Sequence, residues 1–118
     1  MLAAAQLAIV EEACTAVLVL TEGFGDEEFL RSRLTRAEAA RQLATIASTL
    51  AHMPPGLRRR LPELDWEGWR ACMHHMGAGG GPAQDEALWF AVRSLVPATL
   101  TWLRVHRRGQ PELFAFQL

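Results

Sequence analysis

The sequence predicts an all-α fold, an up-and-down bundle of four main helices with one or two short ones. Three observations carry that expectation. No stretch alternates apolar and polar residues in the strand period. Apolar side chains recur at four-and-three spacing in several long segments, the pattern of a helix face turned toward a core. Proline and glycine gather between those segments, at 23–25, 54–56 and 77–82, where helices would have to end.

The chain of 118 residues is long enough for one domain with a real core, and half of it is apolar against 21% charged, so it reads as globular. The net charge of −1 excludes binding of a polyanion by overall charge; nucleic acid would need a local basic patch.

From Met1 to Thr21, Ala3, Leu7, Val10, Cys14, Val17 and Thr21 form one helical seam. A second apolar row runs through Leu2, Ile9, Ala13, Ala16 and Leu20. A helix apolar on both sides is either central to a bundle or also meets a partner. No basic residue precedes the run, and Glu11 and Glu12 interrupt it, which argues against a signal peptide or a membrane span.

Gly23 and Gly25 end this helix, and Asp26 to Arg31 is expected to be short and helical, presenting Phe29 and Leu30. Thr35 and Glu38 have the Thr-x-x-Glu spacing of a capping box, so a helix is expected to start there. Ala39, Leu43, Ile46, Leu50 and Met53 continue it until Pro54, Pro55 and Gly56. Arg58, Arg59 and Arg60 follow, either a solvated turn or a small patch for phosphate or an acidic partner. Asp65 is placed to cap a helix beginning at Trp66.

The glycine loop from Gly77 to Pro82 lacks the preceding strand and the Gly-Lys-Ser/Thr of a phosphate loop, and is expected to be a flexible link. Pro82 suits the first turn of a last helix, with Asp85 and Glu86 near its N-terminus and Trp89, Val92, Val96 and Leu103 as its core stripe. Pro97 should kink that helix. Arg104, Arg107 and Arg108 suit its C-terminal end, and Gly109 closes it. The bundle domain is thus expected over 1–109. The 110–118 tail carries Leu113, Phe114 and Phe116, apolar enough to pack on the bundle or on a partner.

Chemistry is concentrated in Pro62 to Gly77, PELDWEGWRACMHHMG, with two tryptophans, an arginine, a cysteine and adjacent histidines. Cys14 and Cys72 lack metal-ligand spacing and read as reduced thiols of a cytoplasmic protein. His74 and His75 point about 100° apart on a helix, poor joint ligands for a metal, and His52 and His106 have no local relation to them. No metal or cofactor is implied. Lys, Asn and Tyr are absent and every basic residue is Arg, as GC-rich codon usage would leave.

The order of these features resembles a known family. Thr21-Glu22-Gly23 ends a long first helix, and Asp26-Glu27-Glu28-Phe29 and the Leu34-Thr35 helix follow. After them come Pro62-Glu63-Leu64-Asp65-Trp66, then Trp89 and Leu95-Val96-Pro97 in the closing helix. Over about residues 1–104 this resembles the HepT-like proteins of the HEPN superfamily, the toxin half of HEPN–MNT toxin–antitoxin pairs. The resemblance implies a homodimeric helical bundle, members of which often cleave RNA without a metal. Their motif is an Arg, a polar residue (often Asn), then a His, frequently with a Tyr two residues later. Paired across the dimer, the Arg would stabilise phosphate charge and the His would act as acid or base toward the ribose 2′-hydroxyl.

In the register that aligns Trp66 and Trp89 without a gap, Met73, His74, Ala78 and Gly80 occupy the motif positions. A register three residues earlier gives Arg70 and His75 the motif spacing, and Arg70 and His74 share a helix face. Arg70, His74 and His75 are therefore the candidate catalytic residues. The resemblance implies a metal-independent RNA endonuclease, and the motif groups missing from the gap-free register lead to the expectation that the activity is weakened or lost here. The alternative is a catalytically silent dimeric subunit binding a nucleotidyltransferase-type antitoxin or a nucleotide. A helical interaction module without any nucleic-acid role is the third reading. Expected partners are a second copy, such an antitoxin and RNA, with no membrane.

Overall fold

The structure, a computed structural model, describes residues 2–77 and 80–116. Met1, the centre of the glycine loop (Ala78 and Gly79) and the last two tail residues lie outside the described residues, and with Ala78 goes one motif position of the gap-free register. All regular structure among the described residues is helical, as the sequence predicts.

Helix α1 (Leu2–Leu20) buries Ala4, Leu7, Val10, Ala13, Cys14 and Val17 along one face. It ends where the Thr21 hydroxyl donates back to the Val17 carbonyl at 2.8 Å and Gly23 takes a left-handed φ of 79°. Helix α2 (Asp26–Arg31) begins with the Gly25 N–H donating to the Glu28 carboxylate at 3.2 Å. It buries Phe29 against Trp89, ring centroids 4.3 Å apart.

Helix α3 (Arg33–Ala51) starts earlier than the expected capping box. Ser32 is the cap, its hydroxyl accepting from the Thr35 N–H at 3.3 Å. Thr35 thus sits inside the first turn, and Glu38 turns instead to Arg41 at 2.6 Å and Gln42 at 3.0 Å. Two cap-forming residues three apart compete, and the earlier one adds a turn to the helix. The predicted core face of α3 holds: Ala39, Leu43, Ile46 and Leu50 are buried, and Met53 follows them.

Arg58 and Arg59 end a single turn, α4 (Pro55–Arg59), which buried Leu57 anchors and Arg60 caps at its C-terminus. Helix α5 (Trp66–Met76) is capped as expected, with the Asp65 carboxylate accepting from the Gly68 N–H at 2.8 Å. The closing helix runs through three successive segments: α6 (Pro82–Phe90), a π turn over Ala91–Leu95, and α7 (Val96–Gly109). The Val96 N–H reaches back five residues to the Ala91 carbonyl. This wide turn is how the chain accommodates Pro97, which has no N–H and whose ring would crowd the carbonyl four residues back.

The π turn also answers the sequence spacing. Leu88, Val92, Val96 and Leu100 step by four, as do Ala91, Leu95, Thr99 and Leu103, and all of these are buried. On an unbroken α-helix a four-residue step drifts about 40° each time, and one wide turn removes the drift.

The tail forms α8 (Pro111–Phe114) and packs on α1 and α7. Phe114 is buried under the Arg107 guanidinium, 4.6 Å from its ring, while Phe116 stays exposed. Of the two alternatives for the tail, packing on the bundle describes Leu113 and Phe114. In the bundle, α1 packs mainly on α3 and then on α7. Helix α5 lies on α3, α6 and the π turn, away from α1. Arg107 pairs with Glu11 across the α1–α7 contact.

Candidate functional site

The chemistry-bearing residues of α5 open onto two different clefts. The Asp65 cap fixes where α5 begins, and buried Trp69 fixes its rotation, its indole N–H donating to the buried Thr99 hydroxyl of α7 at 2.9 Å. With that rotation set, Arg70 and His75, five positions apart, point about 140° from one another.

Arg70 faces a cleft of about 280 Å³ between α3, α4 and α5, walled by Leu50, Trp66, Trp69 and Met73. Its guanidinium bonds both oxygens of Glu67, at 2.6 and 2.5 Å, and remains 77% exposed. Across the cleft the Arg58 guanidinium lies over the Trp66 ring, 4.7 Å from its centroid. The Trp66 indole is itself pinned, its N–H donating to the Leu61 carbonyl at 3.1 Å. Arg58 makes no ion pair among the described residues, so two guanidiniums and one carboxylate give the cleft a net positive charge beside aromatic walls. An anion carrying a flat ring fits that chemistry.

His75 faces a second cleft, about 490 Å³, lined by Cys72, Glu86, Phe90 and small residues of α5 and α6. No hydrogen bond joins His75, Cys72 and Glu86 among the described residues. Burial pushes the Cys72 thiol up to about 11. It is therefore protonated at neutral pH and no activated nucleophile. Cys14 is pushed to about 12, by burial first and then by the Glu11 charge. Phe90, 60% exposed, and Glu86 stand on a ridge between this cleft and a third, about 530 Å³, lined by Asp26, Leu30, Trp89 and Arg93.

His74 is exposed and lines neither the Arg70 nor the His75 cleft; its ring meets that of His75 edge-on at 5.9 Å. The structure thus keeps apart what the sequence places within six residues: Arg70 in one cleft, His75 in another, and His74 between them. Met73 and Gly80, the other described positions of the gap-free register, carry no ionisable group. No group of three or more His, Cys, Asp or Glu side chains is arranged to hold a metal among the described residues.

Sequence reasoning missed two features. Arg58 and Trp66 are eight residues apart across a turn, and nothing in their spacing foretells that the guanidinium closes over the ring. His106 belongs to a network on the far side of the Arg triplet, its Nε2 2.6 Å from Glu63 and its Nδ1 3.0 Å from the Gln110 amide. Gln110 also bonds Arg60, and Arg60 pairs with Glu112 at 2.5 Å. That network locks the tail to the turn before α5. Its signal in the sequence was Gln110, read only as tail. No protein-family model, curated protein or solved structure matches this chain.

Proposed function

We propose that this chain is a HepT-like protein of a toxin–antitoxin type system, working as a dimeric binding subunit with the ribonuclease activity of that family weakened or lost. Its ligand is nucleotide in chemistry, a base with its phosphate, either free or within an RNA strand. The Arg58–Trp66–Arg70 cleft is the site. A nucleotidyltransferase-type antitoxin is the protein partner this reading implies.

One observation carries the choice of binding over cutting: Arg70 and His75 open on separate clefts of the chain. Phosphate-ester cleavage needs the cation and the acid–base group within hydrogen-bond reach of one ribose-phosphate, and no single chain brings Arg70 and His75 together in that way. Binding needs only what the Arg70 cleft already offers, two guanidiniums and indole surface.

The test is a binding titration of a short single-stranded RNA and of a mononucleotide, followed by Trp fluorescence with EDTA present, the RNA then run on a gel. Both ligands bind, Arg58→Ala and Trp66→Leu each weaken them on the order of tenfold, and the RNA stays intact. RNA that is cut by wild type and spared by Arg70→Ala overturns the reading in favour of a working ribonuclease. Absence of binding to either ligand overturns it in favour of an interaction module.

A further inference from the structure

Helices α5 and α6 meet across a cleft because neither brings enough side-chain volume to fill the space between them. On α5 the lining residues are Gly68, Ala71, Cys72 and His75; on α6 they are Ala83, Glu86, Ala87 and Phe90. Both sets have the i, i+3, i+4, i+7 spacing of one helix face, and each ends in a ring. Packed helices normally interlock larger side chains along such faces. Here a cleft of about 490 Å³ is left, within the roughly 300–1,000 Å³ of small-molecule sites. Cys72 is buried at its wall, and Gly68 stays small because the Asp65 cap fills the space its Cβ would need.

The charged group at this cleft says what would enter it. Glu86 and Phe90 stand one helical turn apart, a carboxylate beside a ring that is 60% exposed. The Glu86 carboxylate makes no ion pair or hydrogen bond among the described residues. Its neighbours on the ridge are engaged elsewhere. Asp26 accepts from the Trp89 indole N–H at 2.6 Å, and the Arg93 guanidinium lies over the Trp89 ring, 5.4 Å from its centroid. A carboxylate and an aromatic face side by side are the two groups that hold an organic ammonium, one by charge and one by its quadrupole. The small and apolar residues beyond them suit a flat hydrocarbon body. An anion fits worse, because no arginine is among the described residues lining this cleft, whereas two line the Arg70 cleft.

We propose that the α5–α6 cleft is a second ligand site, for a small organic cation: a primary ammonium carried on a flat aromatic body. The ammonium sits between Glu86 and Phe90, and the ring lies against Ala71, Cys72 and Ala87. His75, on the facing helix, offers an imidazole nitrogen to a ring heteroatom. This goes beyond the nucleotide reading and does not rest on it, since the two clefts share no lining residue. Opposite faces of α5 thus select opposite charges, and the two readings fail separately. Because Glu86 and Phe90 are exposed to water, the charge contact adds selectivity more than affinity.

The experiment is an NMR titration of the isotope-labelled full chain with tryptamine, and with indole-3-acetate as the same ring carrying the opposite charge. Tryptamine shifts the amides of Ala71, Cys72, His75 and Ala87 saturably, and indole-3-acetate leaves them in place. Glu86→Gln weakens tryptamine on the order of tenfold, and Phe90→Leu weakens it a few-fold. Ala71→Leu, at an exposed position of α5, fills the cleft and removes binding with unchanged helical circular dichroism. Equal binding of indole-3-acetate, or an affinity for tryptamine that Glu86→Gln leaves unchanged, would overturn the proposal. So would shifts centred on Trp66 and Arg70, or no saturable shift through the millimolar range.

Discussion

Asp65 and Gly68 are coupled more tightly than a cap and a helix residue usually are. A Cβ built on Gly68 would stand 2.4 Å from the Asp65 carboxylate oxygen, so the side chain that caps α5 occupies the space an alanine would need. Two opposing effects of about 1 kcal/mol each follow: alanine favours the helix, and displacing the carboxylate loses the cap. Gly68→Ala therefore leaves stability nearly unchanged or lowers it in wild type, and raises it by about 1 kcal/mol when Asp65 is already Ala. Urea denaturation of the four proteins of this cycle measures it. A second pair is the buried bond between Trp69 and Thr99. Thr99→Val strands the indole N–H and costs about 1–3 kcal/mol, and Trp69→Phe costs less in that chain than it does in wild type. Cys14 and Cys72 are buried and their thiols are pushed up by that burial, so both react with a thiol reagent far more slowly in the native chain than after unfolding. Rapid labelling of the native chain would contradict their placement.

At the scale of elements, the π turn and the tail show best what the sequence could and could not disclose. The helices α1, α3 and α5 were legible because each has a periodic apolar face and a local stop or cap, all of them short-range signals. Pro97 was legible as a disturbance, but not as a π turn, because the wide turn is chosen by the burial of two four-step apolar rows against the bundle. Deleting exposed Ser94 removes the extra residue and returns Pro97 to a regular helix, costing about 3 kcal/mol, and Pro97→Ala in the deleted chain restores most of it. Thermal unfolding of the two variants tests this. The start of α3 moved to Ser32 because caps compete within a few residues, and spacing alone does not rank them.

The tail was legible as apolar and its destination was not, since Gln110 and Glu112 find their partner Arg60 50 and 52 residues away. The Glu112 carboxyl is held below the usual range by its own backbone amide and then by Arg60. A depressed folded value means the contribution is present above the unfolded value and lost as pH falls through the folded one. Docking of α8 accordingly loosens in acid, below about the ordinary 4.5. Hydrogen exchange of α8 relative to α3, followed from pH 6 to pH 3, is the measurement; equal protection throughout would contradict it.

The whole molecule is a helical bundle whose α5 carries the candidate residues between two clefts and whose α1 shows the opposite side to solvent. The candidate site was only partly legible for the same reason the tail was. Arg70, His74 and His75 are adjacent in sequence, and helical geometry sends them in different directions. Arg58 enters from another element altogether. What the sequence singles out as one cluster is, in the fold, an arginine–tryptophan cleft and a separate histidine cleft. The nucleotide binding proposed for the first would be electrostatic in part. Affinity for a single strand should fall with salt with a slope of about −0.7 for each phosphate contacted, and Arg58→Ala should make that slope shallower by about one such step.

The central claim is that this cleft holds nucleotide without cutting it, and fluorescence anisotropy of an end-labelled short RNA tests it most directly, with EDTA present and the RNA recovered afterwards. The account predicts saturable binding, on the order of tenfold weaker in Arg58→Ala, with the RNA recovered at full length. Cleavage by wild type that Arg70→Ala abolishes, or binding that Arg58→Ala leaves unchanged, would contradict it.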